Sequence, residues 1–110
     1  MKALDFARHR RLRQNDGLRR MVRETSIHKD DLIYPIFVAD GDNIKEAVPS
    51  MPGVYQWSLD RLDEELKEVE ALGISSVLLF GVPDHKDGVG SQAYDENGIV
   101  QKATLHIKKH

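Results

Sequence analysis

Apolar residues follow two different rhythms along this chain. From residue 73 to 83 the run Gly73-Ile74-Ser75-Ser76-Val77-Leu78-Leu79-Phe80-Gly81-Val82-Pro83 is almost continuously apolar. That is the pattern of a strand buried on both faces, and such strands belong to parallel sheets covered by helices. Just before it, Leu59, Leu62, Leu66, Val69 and Leu72 recur at helical spacing. They predict a helix over 59–72 with Ser58 as its N-cap and Gly73 as its stop. Its outer face carries Asp60, Asp63, Glu64, Glu65, Glu68 and Glu70, a run that reads as a solvated helix surface.

The same reading extends in both directions. Leu32-Ile33-Tyr34-Pro35-Ile36-Phe37-Val38 predicts a first buried strand ended by Asp40-Gly41-Asp42-Asn43. Pro35 lacks an N–H to donate and so must face an unpaired position. Segments 45–48 and 54–57 flank Pro49-Ser50-Met51-Pro52-Gly53, whose Pro-Gly pair favours a tight turn. They predict a small hairpin at about 45–57 that covers one end of the sheet rather than joining its centre. Near the N-terminus, Leu18, Met21 and Val22 predict a short helix capped by Asn15 or Asp16. Residues 98–110 predict a last helix, with Ile99 or Val100, Ala103 and Ile107 on one side and Lys108 and Lys109 in its final turn.

The resulting order is an arm with a short helix over 1–24, followed over 25–110 by strand, hairpin, helix, strand, long polar loop and helix. The fold class is α/β. Two buried strands are too few to shield all these apolar faces as an independent sheet, so the pattern predicts the opening part of a larger domain. In such folds, loops leaving the carboxyl ends of the strands line the binding site. The polar stretch Asp84-His85-Lys86-Asp87-Gly88-Val89-Gly90-Ser91 is therefore the best functional surface on offer.

Composition adds three constraints. At 40% apolar and 31% charged residues, with no apolar run approaching the roughly 20 residues of a membrane span, the chain reads as soluble, with the cytoplasm as its default location and no membrane partner. It has no cysteine, which excludes disulfides and thiolate metal sites within these residues. Its net charge of −2 hides a split: residues 1–23 hold eight basic and two acidic residues, +6, and the remainder eight basic and sixteen acidic, −8. An arm of that charge suits either nucleic acid or the acidic body of another copy of the same protein.

Candidate chemistry is sparse. His9, His28, His85, His106 and His110 are scattered, and the pair His106 and His110 lacks a third ligand. Gly88-Val89-Gly90-Ser91 resembles a phosphate cradle only faintly, because the Lys-Ser/Thr that completes a P-loop is missing. Lys86 and Asp87 follow a buried strand, where a lysine could form a Schiff base; they read as a single exposed ion pair.

Several motifs nevertheless coincide in order. They are Arg8-His9-Arg10-Arg11-Leu12-Arg13, Leu18-Arg19 through Glu24-Thr25, Tyr34-Pro35-Ile36-Phe37-Val38, Ser50-Met51-Pro52-Gly53-Val54, Leu79-Phe80-Gly81-Val82-Pro83, Lys86-Asp87 with Gly90-Ser91-Gln92-Ala93, and Gly98-Ile99-Val100-Gln101-Lys102-Ala103. Together they resemble the N-terminal portion of the bacterial porphobilinogen synthase family, also called delta-aminolevulinic acid dehydratase.

The resemblance implies the first part of a TIM (β/α)8 barrel, preceded by an extended basic arm and incomplete in this chain. It implies a lyase that condenses two molecules of 5-aminolevulinate into porphobilinogen for heme biosynthesis, and a homo-octamer in which the arm embraces a neighbouring subunit. Arg8, Arg10, Arg11 and Arg13 are then interface residues. It also implies zinc and/or magnesium in the full-length protein. The family's two Schiff-base lysines lie on later strands and its metal loop follows the third strand, so no catalytic, cofactor-binding or metal residue is assigned here, and Lys86 matches a loop position. The alternative is a small α/β binding module with a basic arm for nucleic acid. After Phe6 the arm has no aromatic residue to stack on bases, which favours the enzyme reading and no nucleic-acid partner.

Overall fold

The computed structural model describes residues 5–109. The first strand, β1 (Ile33–Ala39), and the strand after the long helix, β4 (Ser76–Val82), pair in parallel over seven residues from Ile33 with Ser76 to Ala39 with Val82. Two shorter strands, β2 (Lys45–Ala47) and β3 (Tyr55–Trp57), form an antiparallel hairpin. The sheet order is β2-β3-β1-β4. Contrary to the expectation from sequence, the hairpin does not cover an end of the sheet: β3 runs parallel to β1, with Phe37 opposite Gln56 and Val38 opposite Trp57, and extends the sheet sideways. Because β3 reaches only those two positions, Pro35 has Leu78 beside it on one side and no β3 residue on the other. A residue without an N–H fits there.

Helices α2 (Leu62–Ala71) and α3 (Ile99–Lys109) lie on one face. Ile36, Val38, Trp57, Leu62, Leu66, Ile99 and Ala103 form the core, and Tyr34, Val77 and Leu79 pack against it. The period-2 alternation of a strand sends their neighbours the other way. On that opposite face Ile33, Leu78 and Phe80 are 64%, 52% and 45% exposed, with the Phe37 and Phe80 rings stacked at 5.4 Å. Two-sided burial of β4 is therefore not observed. The apolar run is there, but among the described residues helices meet only one of its faces.

Ser58 is fully buried and does not cap α2, whose N-cap position is Arg61. Its hydroxyl accepts the Ile44 N–H at 2.8 Å and donates to Asp60, while Asp60 accepts the Asn43 N–H. The side chain that would have opened the helix is committed to the hairpin, so the first helical turn starts later. Those bonds, the Ser58 hydroxyl first, hold the Asp60 carboxyl below its ordinary pKa.

Gly81 lets α3 approach β4. A Cβ there would stand 2.7 Å from Val100 Cγ2 and 3.0 Å from Ile99 Cγ2. At the other end of the chain, α1 (Asp16–Met21) has the expected cap, with the Asn15 side chain accepting the Leu18 N–H at 2.9 Å. A 3-10 turn at Arg11–Arg13 interrupts the segment expected to be extended. No residue between 5 and 32 is buried. The radius of gyration, 22.1 Å, exceeds the roughly 13 Å of a compact domain of this length because that segment projects away. Among the described residues no helix is long and apolar enough to cross a membrane.

Candidate functional site

The parallel register brings the carboxyl ends of β1 and β4 side by side, so the loops at residues 40–44 and 83–90 leave from one edge of the molecule. They are joined there. Asp40 Oδ2 accepts the Asp84 N–H at 3.1 Å, and the Asp40 N–H donates to the Val82 carbonyl at 3.4 Å.

Farther along the second loop, Asp87 organises the backbone. Its carboxylate accepts the N–H of Val89 at 3.2 Å, the N–H of Ser91 at 3.0 Å and the Ser91 hydroxyl. These contacts, led by the Ser91 hydroxyl, hold the Asp87 carboxyl below its ordinary pKa. Gly90 takes the left-handed conformation at φ 63° that lets the chain turn into the 3-10 turn Ser91–Ala93.

Two expectations change here. Lys86 and Asp87 form no ion pair, since Asp87 is occupied by backbone and hydroxyl donors. The faint phosphate cradle is closed from within, because the amides of Val89 and Ser91 point at the protein's own carboxylate. What remains is a hollow of about 260 Å³ whose wall includes His85, Lys86, Asp87, Ser91, Gln92 and Ala93. His85 and Lys86 are exposed on its lip. They can attract and orient an anion; among the described residues the hollow offers them no neighbouring base or nucleophile beyond the committed Ser91 and Asp87.

The other histidines stay apart. His106 Nε2 lies 2.8 Å from Asp63 Oδ1, bridging α3 and α2, while His9 and His28 are exposed and His110 lies outside the described residues. No group of three His, Cys, Asp or Glu among the described residues could hold a metal ion.

Arg8, Arg10, Arg11 and Arg13 are exposed, and among the described residues none forms an ion pair. Arg19 and Arg20 instead share Asp16, at 3.6 and 3.0 Å. The Arg8 guanidinium stands 5.6 Å from the Phe6 ring centroid, a local use of the segment's aromatic residue.

Three arrangements escape sequence reasoning. Asp40 reads only as part of a strand stop, and its clasp on Asp84 depends on the β1–β4 register. Lys45 lies over Tyr55 and Trp57 at 4.9 and 5.0 Å, which no local spacing announces. The Tyr34 hydroxyl donates to Glu65, a bond that, with burial second, pushes the phenol up to about 12.

The sequence pattern of the family described as "Delta-aminolevulinic acid dehydratase" matches residues 6–110. The delta-aminolevulinic acid dehydratase of Halalkalibacterium halodurans is 59% identical over 106 residues, covering 96% of this chain and 32% of that protein. That of Bacillus subtilis is 55% identical over 105 residues, again 96% and 32%. The chain thus spans about a third of the length of the curated relatives it matches. Among solved structures, the Toxoplasma gondii delta-aminolevulinic acid dehydratase (porphobilinogen synthase), crystallised with the reaction product porphobilinogen, superposes with a TM-score of 0.85. It is 33% identical, over 94% of this chain and 30% of that one.

Proposed function

The chain belongs to the delta-aminolevulinic acid dehydratase family, and we propose that it forms the N-terminal third of a porphobilinogen synthase, a lyase that condenses two molecules of 5-aminolevulinate into porphobilinogen in heme biosynthesis. The observation that carries this reading is the family match over residues 6–110, on a fold that superposes with a relative crystallised with that product. In this reading β1 and β4 are the first two staves of a TIM barrel. The open face of Ile33, Leu78 and Phe80 turns towards its interior, and the loops at 40–44 and 83–90 form part of the mouth.

The imine-forming lysines belong to parts of the enzyme outside these residues. So does the metal site: the described residues bring no three His, Cys, Asp or Glu side chains together, so neither zinc nor magnesium fits among them. What these residues contribute is scaffold, mouth and subunit contacts in a cytoplasmic enzyme. The test is the pyrrole product. Incubated alone with 5-aminolevulinate and zinc or magnesium, the 110-residue chain is expected to form no porphobilinogen above a no-protein control. Turnover by these residues alone would overturn the reading.

The basic segment supports a second part of the proposal, assembly into an octamer. Arg8, Arg10, Arg11 and Arg13 lack acidic partners of their own among the described residues, and planar guanidinium groups suit paired bonds to carboxylates on another subunit. Single exposed pairs contribute about 0–1 kcal/mol, so one substitution does little. In the intact enzyme, replacing Arg10, Arg11 and Arg13 together by alanine is expected to lower the oligomer mass at moderate salt, with activity falling alongside. An intact octamer that has lost binding to nucleic acid would assign the segment to nucleic acid instead.

A further inference from the structure

Pro83 leaves the β4 loop without a backbone donor at the first position past the strand, since proline has no N–H. The next donor, the Asp84 N–H, is taken by Asp40 Oδ2 at 3.1 Å, while the Asp40 N–H reaches the Val82 carbonyl at 3.4 Å. One residue at the end of β1 therefore clasps the β4 chain on both sides of Pro83. It continues the β1–β4 pairing beyond its last registered pair, Ala39 with Val82. Asp87 fixes the far part of the loop through Val89 and Ser91. Between the two clamps stand His85 and Lys86, exposed on the lip of the hollow.

We propose that Asp40 is a positioning residue for the porphobilinogen-forming reaction: by accepting the Asp84 N–H it fixes the β4 loop against β1, and so sets where Lys86 and His85 stand at the mouth that a carboxylate-bearing, zwitterionic substrate must enter. This rests on the reading of the chain as part of a porphobilinogen synthase. Asp40 need not touch the substrate. A cation held at the rim of a cleft attracts the carboxylate end of such a molecule and turns its ammonium end away, and it does so only where its loop keeps it. A loop freed at Asp84 lets Lys86 move over a wider arc, and the cost falls on substrate capture rather than on the bond-making step.

The experiment uses a full-length enzyme carrying this chain as its N-terminal third. Asp40→Ala removes the acceptor oxygen; Asp40→Asn keeps one. Loss of one such hydrogen bond is expected to raise KM for 5-aminolevulinate about five- to tenfold in the alanine variant, with kcat nearly unchanged. The asparagine variant should stay near wild type. Amide hydrogen exchange at residues 84–90 should quicken in the alanine variant alone, with oligomer mass and melting temperature preserved. The inference is overturned by an alanine variant with wild-type KM. It is equally overturned if both variants are impaired alike, or if exchange quickens throughout the protein instead of in the loop. The two readings separate on the unsubstituted enzyme: if that enzyme turns over normally, a neutral Asp40→Ala removes this inference only, whereas an unsubstituted enzyme that forms no porphobilinogen removes both.

Discussion

Replacing Gly81 with valine is expected to separate α3 from the sheet. A Cβ at this position already meets Val100 Cγ2 at 2.7 Å and Ile99 Cγ2 at 3.0 Å, closer than carbon atoms pack, before the valine methyls are added. Neither neighbour yields easily: both are β-branched residues in a helix, where χ1 is nearly fixed, and Ile99 is buried. Relief must come from shifting the start of α3, which carries Ile99 and Ala103 into the core. Overpacking of this kind costs about 1–3 kcal/mol for alanine and more for valine. Denaturant unfolding of the intact enzyme checks both values. Coupling Gly81→Ala with Val100→Ala should return part of the loss, because the second change removes the methyl in conflict. Strictly additive effects would show that the contact at Gly81 is not the cause.

Trp57→Ala is the second large effect, expected to destabilise by about 3–5 kcal/mol. Trp57 is 3% exposed and ties three elements together. It pairs with Val38 of β1, its ring meets Tyr55 edge-on at 5.9 Å, and Lys45 Nζ lies 5.0 Å from its centroid while reaching Glu64 of α2 at 3.9 Å. Truncation opens a cavity in the core and removes one of the two rings beneath the ammonium group. Trp57→Phe keeps most of the volume and a π face, so its loss should be much smaller; equal losses from the two substitutions would deny the ring its role. Lys45→Ala isolates the surface part of the clamp and should cost only about 0.5–1 kcal/mol.

How much of this was legible depended on whether the determining contact was local. The periodicity of Leu62, Leu66 and Val69 places a buried helical stripe correctly, because it is a property of one element. The Asn15 cap is equally local. Ser58 fails as a cap because Ile44, fourteen residues earlier, claims its hydroxyl. The continuous apolar run of β4 says that both faces call for cover, but it cannot say that the helices present occupy one face only. Lys86 and Asp87 look like an ion pair because opposite charges are adjacent, yet adjacent residues compete with the amides that a tight turn aims at the same carboxylate. Asp40 shows the same limit at longer range: its partner is 44 residues away and is chosen by strand register. The basic segment is evident from composition, whereas among the described residues Arg8, Arg10, Arg11 and Arg13 form no ion pair that would show what they meet.

The central proposal is that these residues work as the opening third of a porphobilinogen synthase. The direct measurement is porphobilinogen formation by a graft in which this chain replaces the corresponding segment of the Halalkalibacterium halodurans relative, to which it is 59% identical. The graft is expected to convert 5-aminolevulinate to porphobilinogen with the oligomer mass of the parent relative. A folded graft of that mass which forms no porphobilinogen would contradict the account.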